Sequence, residues 1–481
     1  MLTYLLWLIA GTFYGFLIGL IPIAGVTTAL LSIYGFLDVF RHDPYTLVIF
    51  TTAIVVSCTI GDNFSSIVMN IPGSAGSAAT MVDGFPLAKR GEGARALSAA
   101  IFTSCGNGLL WGILTFCFIS YYAKFVLLFG VPELLAFVIV ALTSLCFVTS
   151  SKWFRSLLAM ALGIFCGIIG TNPLNGSPLF TGGWNYLNAG IQIMPLVSGL
   201  MAFPELIETY TSGFTRFEIE IKNTKQQIIQ GFHDSIAYWR DGVRGGIIGA
   251  GVGLLPGIGG AIADWLAYSS TLNSHPNEQF GNGNIRGLIG CEGANNAQKA
   301  TSYIPTILFG IPAAPFEAII MSLFIFVGLE MGTPTLLKDQ HFFDTITYAY
   351  LGSLALTFII SLICIKYIAY VFRIPFWVWF WSLSILIVWS CVQYTGYWED
   401  YAMLAACIAL GIAMKKLQLS RPAFIIGFVL SPRLFNLTYQ YSLLYNWYDM
   451  FLKPISCVLL IVAITMAVRG LFFNKIKINF A

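Results

Sequence analysis

Charge is what this chain has least of. Asp, Glu, Lys and Arg together make up 10% of its 481 residues, where a soluble domain averages about 25%. Hydrophobic residues make up 57%, and the mean hydropathy is +0.79. No soluble packing absorbs that much apolar surface, so a polytopic membrane protein is implied. A β-barrel would need short alternating segments. The apolar runs here are continuous and about 15–25 residues long, as membrane helices require. A net charge of +3 carries no nucleic-acid signal.

Reactive-site signatures are missing too. The ten cysteines are dispersed, mostly inside apolar runs and without a C-x-x-C pair, and read as buried small hydrophobes. His42, His233, His275 and His341 stand far apart with no H-E-x-x-H, so metal hydrolase chemistry has no support and no metal ligand set is expected. There is no G-x-x-x-x-G-K-[ST] phosphate loop. The N-terminal segment lacks a basic n-region and an A-x-A-like cleavage site, and reads as a retained first helix.

The apolar runs come in order. Residues 3–37 predict a helix that breaks near Pro22 and resumes to about Leu37, and residues 45–60 a second apolar segment. Asn70 to Thr80, rich in small polar residues, predicts a re-entrant hairpin, and Asp83 to Arg95 a charged loop. Further apolar segments occupy roughly 96–118, 132–149, 154–170 and 187–204, with a short interfacial or tilted piece over 119–131. Glu205 to Arg244 is the longest hydrophilic stretch. It divides two transmembrane halves, 1–204 and 245–481, joined by a cytoplasmic linker at 205–244. The second half predicts a broken helix at Pro256, a hairpin over 313–329, and later segments near 345–365, 376–393, 401–414, 421–435 and 455–473. The expected fold is an all-α polytopic membrane protein with about 12 transmembrane helices and two hairpins. Loops 83–95, 150–155, 205–244 and 415–421 and the tail with Lys475 and Lys477 are basic, whereas loops 171–186 and 394–400 carry no Lys or Arg. That bias places the basic loops and the C-terminus in the cytoplasm.

A repeat is visible by eye. Leu20-Ile-Pro-Ile-Ala-Gly25 laid over Leu254-Leu-Pro-Gly-Ile-Gly259 gives an offset of 234, at which Gly11, Gly15, Gly19 and Ala29 fall on Gly245, Gly249, Gly253 and Ala263. Asn70-Ile-Pro72 falls on Gly310-Ile-Pro312 at an offset of 240. The chain is therefore expected to hold two copies of one unit, broken helix then polar stretch then I-P hairpin. We take them as inverted copies, with a site where the breaks meet. The glycines at helical spacing clear one face for close helix packing.

Pro and Gly at membrane depth free backbone groups that persist only when buried in protein or lining a wet cavity. Freed N–H groups attract an anion and freed carbonyls a cation. The expected substrate site takes Gly25, Thr27 and Thr28 from the first break and Gly257, Gly259 and Gly260 from the second. Asn70, Gly73, Ser74, Ser77, Gly310 and Ala313 come from the hairpins. A plain structural kink is the competing reading of the breaks. The expected cation ligands are Asp62, Asn63, Glu292, Asn295 and Asn296, because an ionisable residue at membrane depth is a functional candidate and an amide offers a carbonyl oxygen. The alternatives are solvated loop carboxylates for Asp62 and Glu292, and interhelical hydrogen bonding for the asparagines. Asp264 is a further carboxylate with nothing to pair with it in the first copy.

The chain resembles the large membrane subunit of the tripartite tricarboxylate transporters. The resemblance rests on Asn70-Ile-Pro-Gly, Asp83-Gly-Phe-Pro-Leu-Ala-Lys-Arg-Gly, Leu254-Leu-Pro-Gly-Ile-Gly, Phe280-Gly-Asn-Gly, Glu292-Gly-Ala-Asn-Asn-Ala, Gly310-Ile-Pro, Arg421-Pro-Ala-Phe-Ile-Ile-Gly and Lys453-Pro-Ile-Ser, in that order. It implies a bacterial inner-membrane secondary transporter, with a small multi-spanning subunit and a periplasmic binding protein as partners. Three positions depart from the family's usual pattern. Ile23 stands where L-P-G is usual, Ser74 where an acidic residue follows N-I-P-G, and Ala313 where a glycine follows G-I-P. All three fall at the expected site and bear on the choice of anion.

The expectation is a non-enzymatic symporter for a small organic anion, a di- or tricarboxylate, working by alternating access with Na⁺ or H⁺ and no cofactor. Its rivals are a passive anion channel or facilitator, which would show flux without saturation, and a membrane-embedded enzyme, for which the sequence offers no Ser-His-Asp, Cys-His or metal set.

Overall fold

A computed structural model describes residues 2–74, 76–148, 153–172, 176–212, 223–257, 260–372, 374–446 and 448–472. Among them, all regular structure is helical except a short antiparallel pairing of Gly170–Thr171 with Pro178–Leu179. Helices suit a chain whose apolar runs must satisfy their own backbone groups in lipid. Among the described residues, five helices are long and apolar enough to cross a membrane: Leu2–Leu20, Pro44–Met69, Ala78–Phe116, Gln340–Cys364 and Phe376–Gln393. A sixth is counted if Ile119–Val126 and Val131–Cys146, bent by 117°, form one span. This is fewer than about 12, and the remaining helices show why. Trp153–Ile168 and Pro315–Phe326 are short, and Trp239–Gly253 and Ile285–Tyr303 carry charges, amides and many glycines.

The helices that build the site are α1 (Leu2–Leu20), α2 (Gly25–Leu31), α3 (Pro44–Met69), α4 (Ala78–Phe116), α5 (Thr224–Ala237), α6 (Trp239–Gly253), α7 (Gly260–Ser274), α8 (Ile285–Tyr303), α9 (Pro315–Phe326) and α10 (Arg421–Leu444). Several expectations need correction. The second apolar segment does not end at residue 60, because its polar residues Asp62 to Ser66 stay helical and buried against other helices. Of Asn70 to Thr80, the described residues up to Ser77 form a turn and Ala78 to Thr80 are already the start of α4. The supposed charged loop 83–95 is part of α4, which bends at Gly91 with a φ of 83°. The second expected hairpin, 313–329, is taken up by the single helix α9. The hydrophilic stretch 205–244 is largely helical where described. Its α5 lies along α4, with Arg95 Nε 2.6 Å from Asp234 Oδ2 and Ser98 Oγ donating to the Ile228 carbonyl at 2.7 Å.

The two copies pack in the same register. In the first, Gly11, Gly15 and Gly19 of α1 lie against the backbone at Phe50, Ile54 and Cys58 of α3. In the second, Gly245, Gly249 and Gly253 of α6 lie against Gly290, Ala294 and Gln298 of α8. Each partner in the second copy stands 240 positions after its counterpart in the first. A side chain at any of the six would meet backbone or a packed neighbour within 3 Å, which is why helix faces this close use glycine. The breaks match as well. The Ile23 N–H donates to the Pro72 carbonyl at 3.2 Å, and the Gly257 N–H to the Ala313 carbonyl at 3.1 Å. Each broken helix is thereby pinned to its own I-P turn.

Backbone conformation explains the residue types at those breaks. Gly257 has a φ of 85° and Ile23 a φ of 70°; Asn70 and Gly310 have 55° and 62°. The left-handed region costs an L-residue roughly 1–2 kcal/mol. A Cβ on Gly257 would also sit 2.6 Å from Leu145 Cδ1. Gly257→Ala is therefore expected to destabilise the protein by about 2 kcal/mol, read as a lowered apparent melting temperature in detergent. Melting unchanged within error would show that the second break is not strained in this way.

Candidate functional site

Where the two breaks approach one another lies a cavity of about 510 Å³. The first break supplies Gly25, Thr27 and Thr28, and the first I-P turn supplies Gly73 and Ser74. The second break supplies Gly257 and Gly260, α3 contributes Asp62, and α8 contributes Asn295. Nine of the residues expected from sequence are thus brought together by the pinned breaks. The packing is close: a Cβ on Gly25 would lie 3.1 Å from the Gly73 carbonyl oxygen, and one on Gly73 would lie 2.7 Å from Asp62 Oδ1.

Other expected residues lie elsewhere. Asn70 is exposed and does not line the cavity; its left-handed backbone at the end of α3 accounts for it. Ser77 is used within its own turn, accepting from the Ser74 N–H at 3.0 Å and donating to the Ser74 carbonyl at 2.9 Å. Ala313 is buried and its N–H donates to Glu317 Oε2 at 2.6 Å. Gly310 faces a different cavity, and Gly259 lies outside the described residues. Asn63, Glu292 and Asn296 form a buried polar layer behind the cavity. Asn63 Nδ2 donates to Glu292 Oε2 at 2.7 Å, Thr80 Oγ1 to Glu292 Oε1 at 2.5 Å, and Asn296 Nδ2 to Ser104 Oγ at 3.0 Å. Glu292 and Asp62 are therefore buried helix residues, 0% and 2% exposed, rather than solvated loop carboxylates. Neither has a charged equivalent in the other copy: 240 positions apart from them stand Thr52 and Ser302.

The cavity also holds a charge that repeat and motif reasoning missed. Lys299, one helical turn beyond Asn295 on α8, lines it with Asp62 and Asp264. Its Nζ lies 4.6 Å from the centre of the Phe316 ring and makes no ion pair within 4 Å among the described residues. Gly260 leaves room for it, since a Cβ there would sit 3.1 Å from Nζ. Asp264 Oδ1 is buried without a hydrogen-bond partner among the described residues. At the mouth, Arg421 donates to the Leu200 carbonyl at 3.0 Å and pairs with Glu205 at 3.2 Å, and Lys415 pairs with Glu208. Partial burial, then the neighbouring Arg421, hold the Lys415 ammonium below the usual lysine range. The signal for Lys299 was present: a lone lysine between apolar segments meets the same test of depth that singled out Asp62.

Another buried carboxylate, Asp83, has a purely architectural setting. Asp83 Oδ1 accepts from the backbone N–H groups of Gly281, Gly283 and Asn284 at 2.8, 2.9 and 2.8 Å, and Oδ2 from the Tyr268 hydroxyl at 2.9 Å. The Asp83-Gly-Phe-Pro and Phe280-Gly-Asn-Gly motifs are thus two halves of one clamp between the copies.

Residues 5–426 match the model of the tripartite tricarboxylate transporter TctA family. Two curated relatives come from Agrobacterium vitis. One, described as an uncharacterized 52.8 kDa protein in the TAR-I ttuC' 3' region, is 28% identical over 89% of this chain and 85% of its own length. The other, described as an uncharacterized protein in the TAR-II ttuC' 3' region, is 33% identical over 39% of this chain and 77% of its own length. No solved structure matches.

Proposed function

This chain belongs to the tripartite tricarboxylate transporter TctA family, and on that premise we propose that it is the large membrane subunit of a symporter for a small organic anion. The family and the apolar helices make it a multi-pass membrane protein and a component of a tricarboxylate transporter. The finer reading is ours: uptake of a di- or tricarboxylate across a bacterial inner membrane by alternating access, coupled to Na⁺ or H⁺. The C-terminus lies in the cytoplasm, and a small multi-spanning subunit and a periplasmic binding protein act as partners.

The observation that carries the reading is the cavity around Lys299. Its volume of about 510 Å³ falls in the range of small-molecule sites. It is built from both helix breaks and holds an ammonium with no ion pair among the described residues. A substrate carboxylate pairs with Lys299 and takes hydrogen bonds from Ser74 and Thr28. The coupling cation takes the oxygens of Asp62 and Asn295, with Asp264 completing the set. The two copies, set as inverted units, rock about this site.

The test is uptake of radiolabelled citrate, malate and succinate into vesicles carrying the chain with both partners. Saturable accumulation is expected only under an inward Na⁺ or proton gradient. Accumulation that ignores both gradients sinks the coupling, and uptake of none of the three sinks the substrate class.

A further inference from the structure

A second and larger cavity, of about 830 Å³, lies beside the other end of α10. The first meets α10 at Arg421 and Pro422 and the second from Phe428 to Gln440, and the two arginines, Arg421 and Arg433, stand 12 positions apart, or about 18 Å at the helical rise. The two share no lining residue. Between them runs the second I-P turn, with Gly310 lining the large cavity and Ala314, Pro315 and Phe316 the small one.

Arg433 and Glu330 are the only charged residues among those lining the large cavity, and Glu330 is exposed. Among the described residues Arg433 makes no ion pair within 4 Å, its Nη2 donates to the Gly332 carbonyl at 3.5 Å, and its Nε is buried without a partner. Gly310 makes room for the guanidinium: a Cβ there would lie 3.0 Å from Nη1. Asn188, Gln192, Ser322, Asn436 and Gln440 supply further donors around it. A guanidinium presents paired N–H donors whose geometry matches a carboxylate, and one left without an anion in a partly dehydrated cavity is costly.

We propose that the cavity around Arg433 is a second carboxylate-binding site, distinct from the Lys299 cavity and separated from it by the Gly310–Phe316 turn. Arg433 lies beyond the stretch that matches the family. The inference rests on the anion-transport reading above for its choice of ligand. It adds that an anion is held on one side of the turn before it occupies the other.

Equilibrium dialysis of the purified full chain against radiolabelled citrate, repeated with succinate, tests it. Wild type is expected to bind two anions per chain, R433Q only the one that K299Q loses, and K299Q only the one that R433Q loses. R433K is expected to keep both, more weakly at its own site. Ser322→Trp, which puts a bulky ring into the cavity and leaves Arg433 in place, gives the same loss as R433Q and replaces it if R433Q does not fold. Wild-type stoichiometry in R433Q or in Ser322→Trp overturns the second site and leaves the proposed function standing. Binding that K299Q does not diminish overturns the Lys299 assignment, while the R433Q comparison still decides the second site.

Discussion

Asp83→Ala is expected to destabilise the protein by about 4 kcal/mol, the largest loss of stability expected from any single side chain described above. The carboxylate is fully buried and accepts four hydrogen bonds, three of them from the backbone of the Gly281–Asn284 turn. Alanine leaves those N–H groups and the Tyr268 hydroxyl without their acceptor, and each orphaned buried donor costs roughly 1–3 kcal/mol. The total falls short of the sum because the turn can swing outward and take water. That relaxation is itself measurable. Proteolysis within residues 276–284 is expected to quicken along with a drop in apparent melting temperature. Asp83→Asn keeps one carbonyl oxygen for the three N–H groups, and its amide can donate to Tyr268, so it is expected to lose about 1–2 kcal/mol. Melting and proteolysis of Asp83→Ala like those of wild type would mean that the clamp does not hold the turn.

Asp83 shows where local reading stops. It begins a run with Lys89, Arg90 and Arg95, and a cluster of charge reads as solvent-facing. Its partners, however, are 185 to 201 residues away, and nothing in its neighbourhood announces them. The helix breaks were legible because their cause is local: Pro22 and Pro256, with glycines at fixed spacing before them, impose the same kink twice. The registration of those breaks on the I-P turns was legible only as a pair of offsets. Its physical content, two backbone hydrogen bonds and six glycine contacts, came from the fold. The polar helices misled in the opposite sense. Asp62 to Ser66 look like the end of a span, because hydropathy charges each side chain the cost of facing lipid, whereas these face other helices. Repeat matching also hides whatever is not duplicated. Lys299 has Thr59 as its counterpart and Asp264 has Leu30, so an argument built on matching positions set Asp264 aside and passed over Lys299, the charges that make the site asymmetric.

That asymmetry gives Lys299→Gln its expected effect, a fall of about a hundredfold in carboxylate uptake at low substrate concentration. Truncating one partner of a desolvated charge pair costs 2–5 kcal/mol or more, and about 2.7 kcal/mol is a hundredfold. Lys415→Gln is the comparison. Its ammonium sits at the same cavity's mouth but is 41% exposed and already paired with Glu208, so uptake is expected to stay within about threefold of wild type. A purely architectural role for Lys299, offsetting Asp62 and Asp264, makes a different prediction: Lys299→Gln would then melt earlier, and adding Asp264→Asn would restore both stability and uptake by removing the excess negative charge. If Lys299 binds the anion, the double variant regains stability and stays inactive. Lys299→Arg keeps the charge, but the larger guanidinium must fit beside Gly260 and the Phe316 ring, so partial uptake with a raised KM is expected. Uptake by Lys299→Gln within about threefold of wild type, at equal amounts of protein in the membrane, would remove Lys299 from the site. The two helix breaks would then have to hold the anion through their backbone groups alone.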